Sequence, residues 1–134
     1  MTPRDRTASG RFRLLVIANE TAEDDALHEL IVDRVGGMPA EVLLVAPAVR
    51  SSGDAAEERV EHGIERLGER GIHAYGWAGH PDPVAAIAGA LTVFEADEVI
   101  IASDPGGTVL AQRARERFGL PATHVAIGRM LAAA

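Results

Sequence analysis

Ser103, Gly106, Gly107 and Thr108 fall within one six-residue window, directly behind the apolar run Val99-Ile100-Ile101. Two hydroxyls and two glycines in that spacing suit the binding of an anion better than they suit a reaction. Glycine lets backbone N–H groups turn outward into a concave nest, and hydroxyls can donate beside them. Asn19, at the end of an earlier apolar run, would add a neutral amide from across a cleft. Asp104 opposes an anion unless its carboxylate points away. A turn followed by a helix cap accounts for the same residues with no ligand at all, because threonine caps well and Gly-Gly tolerates positive φ.

Residues that would perform catalysis are scattered. The five histidines, His28, His62, His73, His80 and His124, form neither an i, i+4 pair nor H-E-x-x-H, so no metal site is expected. His28 and His62 are read on polar helix faces, and His73 and His124 at alternating strand positions. His80 precedes Pro81 in a loop at the sheet edge that carries the cleft. With Asp104 it defines an enzymatic reading on a phosphorylated compound, which would need a positioned partner for the proton. Ser51, Ser52 and Ser103 lack the G-x-S-x-G context of an exposed nucleophile. G-x-G-x-x-G is missing behind the first strand, which removes a dinucleotide site. The chain has no cysteine and no lysine, all 13 basic residues being arginine. Thiol chemistry, a Schiff-base lysine and a P-loop lysine are thereby excluded. The expectation is a protein that is not an enzyme, with no catalytic residues.

The elements that position these residues follow from periodicity. Phe12 to Ala18 reads as a first strand with a continuous buried run. Thr21 is placed to cap a helix over Ala22 to Val35, with Leu27, Leu30, Ile31 and Val35 on one face and Gly36-Gly37 as its stop. Glu41 to Ala46 is a second strand that Pro47 ends. Asp54 to Arg70 is a helix whose charged faces read as solvated surface. Ile72 to Trp77 is a weaker, edge strand, with Tyr75 and Trp77 suited to edge packing or a dimer surface. Asp82-Pro83 opens a third helix running to Glu95. Glu98 to Ala102 is the fourth strand and Ser103 to Gly107 its loop. A helix opens at Thr108 and is closed by Gly119 and Pro121, and Thr123 to Ile127 is the fifth strand. Strictly alternating strands and amphipathic helices give an α/β fold with a parallel sheet covered on both faces. In such sheets ligands bind at the carboxyl ends, where strand order reverses.

At 134 residues the chain suits a single domain, read as a flexible arm over 1–10 and one α/β unit over 11–134. Net charge is −7, with Arg4, Arg6 and Arg11 gathered at the start, so the acidic body disfavours nucleic acid and anionic membrane. No apolar run approaches the roughly 20 residues of a membrane span, and the start lacks the apolar core of a secretory signal. A cytoplasmic location is the expectation.

Read together, L-L-V-I-A-N-E-T, A-E-V-L-L-V-A-P and G-H-P-D-P-V-A-A-I-A-G-A-L-T-V-F-E-A-D-E-V-I-I-A-S resemble the universal stress protein superfamily. R-A-R-E-R-F-G-L-P-A-T-H-V-A-I is similar to the last helix and strand of a bacterial branch of it, and the likeness runs from about Phe12 to Ile127. The resemblance implies a three-layer α/β/α sandwich with a five-stranded parallel sheet in the order 3-2-1-4-5, switching between strands 1 and 4. It also implies a homodimer, often paired through the fifth strand, whose open edge the apolar end Met130–Ala134 would help to cover. Nucleotide-binding members hold ATP with an acid after strand 1, backbone at the end of strand 2, and a loop G-x2-G-x9-G-[S/T] after strand 4. Here Asn19 takes the first place and Val45 lies at the second. The loop positions fall on Ala102, Pro105, Arg115 and Glu116, with Gly106, Gly107 and Thr108 off the spacing. The expectation is a regulatory or stress-response module without strong ATP binding. The alternative is weak binding of an adenine nucleotide or small anion by Asn19, Val45, Ser103, Gly106, Gly107 and Thr108.

Overall fold

Strands that are apolar without alternation need cover on both faces, and the chain supplies it. The computed structural model describes residues 11–18, 25–47, 53–103 and 108–126. The elements are β1 (Phe12–Ala18), α1 (Asp25–Val35), β2 (Ala40–Pro47), α2 (Gly53–Glu69), β3 (His73–Gly79), α3 (Pro83–Leu91), β4 (Glu98–Ser103), α4 (Thr108–Phe118) and β5 (Ala122–Ala126). All strand pairs are parallel and the order is β3-β2-β1-β4-β5, as the resemblance implied. The result is a three-layer α/β/α sandwich.

Successive residues of β1 serve opposite layers. Leu14 and Val16 pack with Leu27 and Ile31 of α1 and Val60 of α2. Leu15 and Ile17 pack with Ile87 of α3 and Ala111 and Ala114 of α4. These four β1 side chains are completely buried. Each contributes about 1.5–3 kcal/mol relative to exposure, which fixes β1 as the central strand. Pairing on one side with β2 and on the other with β4 puts the switch point at β1/β4.

Two glycines are required by geometry. A Cβ on Gly76 would lie 1.9 Å from the Leu44 carbonyl oxygen, so β3 can approach β2 there only without a side chain. Gly119 has φ +69° and turns the chain from α4 into β5.

Several boundaries differ from expectation. Pro47 is the last residue of β2, opposite Gly79, rather than the residue that ends it. A terminal strand position asks less of the N–H that proline lacks. β3 runs on to Gly79, two residues beyond Trp77. α3 stops at Leu91 instead of Glu95, with the Thr92 hydroxyl donating to the Gly89 carbonyl at 2.6 Å and Phe94 still buried beyond the turn. Ser103 belongs to β4 rather than to the loop, and β5 is described from Ala122 to Ala126. The charged surface of α2 is not only solvated: Arg66 pairs with Asp25, and Arg70 reaches Glu29 at 2.5 Å, tying α2 to α1. The Thr21 cap, the arm over 1–10 and Met130–Ala134 lie outside the described residues.

Candidate functional site

β4 and β5 carry the site through their register. Ile101 is opposite His124 and Ser103 opposite Ala126, so Ser103 and His124 sit diagonally on one face. That face is the one α4 covers, and α4 begins at Thr108 beside the strand ends. The three polar side chains meet there. Ser103 Oγ lies 3.2 Å from His124 Nε2, and Thr108 Oγ1 lies 3.4 Å from His124 Nδ1. Ser103 is buried, His124 half-buried and Thr108 exposed.

The imidazole therefore bridges two hydroxyls, and each ring nitrogen has a defined contact. In one tautomer the Ser103 hydroxyl donates to Nε2 and Nδ1–H donates to Thr108; in the other both bonds run in reverse. Arg115 adds support at the other end of the unit, donating from Nη1 to the Ala122 carbonyl at 2.5 Å and holding α4 to the start of β5.

Ser103 and Thr108 are thus brought together. Asn19, Gly106 and Gly107 lie outside the described residues, as does Asp104. The Val45 side chain is fully buried in the layer beneath α3, and a Cβ on Gly79 would come within 2.8 Å of it. Only the backbone of Val45 reaches the strand end, between Ile17 and Trp77. Thr108 opens α4, as expected, and its hydroxyl is directed to His124.

The histidines are sorted differently from expectation. His124 joins the site, although strand alternation alone gave no reason to single it out. His80 is exposed, and its Nδ1 accepts from the Asp82 backbone N–H at 2.9 Å, while Asp82 caps α3 as foreseen. His28 is 4% exposed, not on a polar face, because α1 packs against α2 as well as the sheet and buries a wider arc. Among the described residues no group of three histidine, aspartate or glutamate side chains could hold a metal, and no helix is long and apolar enough to cross a membrane.

Hollows lie elsewhere among the described residues. One of about 360 Å³ is on the opposite face of β4 and β5, floored by Leu30, Ile100 and Val125 and rimmed by the Arg34–Glu98 ion pair. Another, of about 420 Å³, opens between Asp82 and Val84 at the start of α3 and Arg113, Glu116 and Arg117 on α4. No family model, curated protein or solved structure matches the chain.

Proposed function

We propose that this chain is a regulatory domain of the universal stress protein type, working as a pair of identical copies and binding a small oxyanion weakly where β4 and β5 end. The observation that carries the reading is the convergence of Ser103 and Thr108 on His124 at the carboxyl end of a parallel sheet. Two hydroxyls and an imidazole offer hydrogen bonds of either sense with little fixed charge, and a phosphate group of an adenine nucleotide is a suitable guest. The lapsed spacing of the glycine loop supports weak rather than strong nucleotide binding. Thermal melting of natively purified protein with and without Mg-ATP tests it. A ligand at a hundred times its dissociation constant adds about 2.7 kcal/mol, so an upward shift that Gly107→Val reduces is the expected result. No shift at millimolar nucleotide, and none with inorganic phosphate, overturns the binding reading.

Pairing of copies is favoured by the edge at β5. Its five residues, Ala122–Ala126, contain no acidic residue, arginine or proline to blunt an open ladder, and Thr123 and Ala126 are exposed. Sedimentation at micromolar concentration is expected to show a dimer, and a monomer throughout that range overturns it.

A further inference from the structure

The order Ser103–His124–Thr108 is that of a nucleophile, a base and a group that orients the base. Nucleophilic serines are recognised by this relation in space and not by sequence order. Each link is within or just beyond hydrogen-bond reach, at 3.2 Å and 3.4 Å, and such contacts are often loose before a substrate is bound. Ser103 is held at a strand end by pairing of β4 with both β1 and β5, and His124 by pairing of β5 with β4. The nucleophile and its base thus stand on the rigid sheet rather than on loops. Ser103 is only 3% exposed and His124 half-buried, whereas Thr108 is exposed.

We propose that Ser103 is an acyl acceptor activated by His124, with Thr108 as a positioning residue that holds Nδ1–H and so turns the lone pair of Nε2 to the Ser103 hydroxyl. The substrate class is a small activated carboxylic ester. Ser103 Oγ bonds to the acyl carbon as its proton passes to His124 Nε2. The acyl–oxygen bond to the leaving alcohol then breaks, and that alcohol departs with the proton from Nε2. The product is an ester on Ser103, a single covalent event that a regulatory domain can read as a change of state. It goes beyond the oxyanion reading and does not depend on it.

Incubating the full chain with p-nitrophenyl acetate tests this directly. The chain has neither lysine nor cysteine to compete for the acetyl group, and peptide mapping separates Ser103 from the five histidines and Tyr75, which can also react. The expected result is release of nitrophenolate in proportion to protein, with one acetyl group that peptide mass spectrometry places on Ser103. Ser103→Ala abolishes that adduct, and His124→Gln slows it by about a hundredfold, the scale of a lost general base. Thr108→Val slows it several-fold and Thr108→Ser restores it, a rescue that a purely structural threonine would not give. Acetylation that never reaches Ser103 in the unaltered chain overturns the proposal, whatever the variants do. So does an equal rate in Thr108→Val, whose exposed position leaves the core intact. Acetylation of Ser103 with no thermal shift from Mg-ATP or phosphate removes only the binding reading.

Discussion

The two ends of the sheet are built from different chemistry. At the amino ends of the strands, charge is committed to charge. Arg13 donates from Nε and Nη2 to Glu41 at 3.3 and 3.0 Å, Arg11 reaches the other oxygen of Glu41 at 3.2 Å, and Arg34 pairs with Glu98. The same arginines lie over aromatic rings, Arg34 over Phe12 at 4.9 Å and Arg13 over Phe94 at 5.3 Å. Beneath them the buried Asp97 accepts from the Arg13 backbone N–H at 3.0 Å and donates its own N–H to the Arg13 carbonyl at 2.8 Å. At the carboxyl ends of β4 and β5 the described polar side chains are two hydroxyls and an imidazole. One end is closed by its own partners and holds β1 against β4. The other keeps groups that can exchange one hydrogen-bond partner for another, which is what a binding or reacting site requires.

The sharpest way to break that contrast is to remove Asp97. Its loss leaves the Arg13 N–H facing a buried space without its carboxylate partner, so Asp97→Ala is expected to cost about 2–3 kcal/mol in urea unfolding. Asp97→Asn, which keeps an acceptor, should recover part of this. At the opposite end, Ser103→Ala removes one bond to a half-buried ring and should cost about 1 kcal/mol. Equal losses in the two variants would mean that the carboxyl end is as much a structural clamp as the amino end, and the division of labour between them would fall.

The architecture was legible because it is written locally. Continuous apolar runs such as Leu14–Ile17 and Val99–Ile101 require a parallel sheet covered on both faces, and the alternation with helices orders the elements along the chain. Strand order is not local; it came from the likeness of whole segments to a known superfamily, and the sheet has that order. Ser103 and Thr108 were found because glycines and hydroxyls cluster along one loop. His124 was missed for the opposite reason. It is remote in sequence from both, and only the register of β5 on β4 brings its ring to Ser103. Pairing the fifth strand with the fourth on paper, and asking which residues share a face, was the signal that could have found it. Val45 is a different case: its side chain is in the core, so at that strand end it has only backbone to offer, which is the contact the resemblance implies there.

Tyr75 offers the finest probe of the amino end, and the chain has no other tyrosine to blur the reading. It sits on β3 between His73 and Phe94, with ring centroids 5.8 and 6.1 Å away. Partial burial raises its phenol above the ordinary range, the Glu41 carboxylate adds to the rise, and Arg13 and Arg11 work against it. A phenol raised in the folded state stabilises the fold at pH values below about 10, the range of a free tyrosine. That contribution is lost as pH climbs through the folded value. Absorbance of the phenolate should therefore show a midpoint above that of the urea-unfolded chain. Glu41→Gln should bring the folded midpoint down without making it equal to the unfolded one, because burial is the larger cause. A midpoint unmoved by Glu41→Gln would mean that the arginines already neutralise Glu41 as seen from Tyr75. The closed set of ion pairs would then present almost no field to the neighbouring edge strand. A midpoint that falls to the unfolded value would mean that the charge of Glu41, rather than burial, governs that edge.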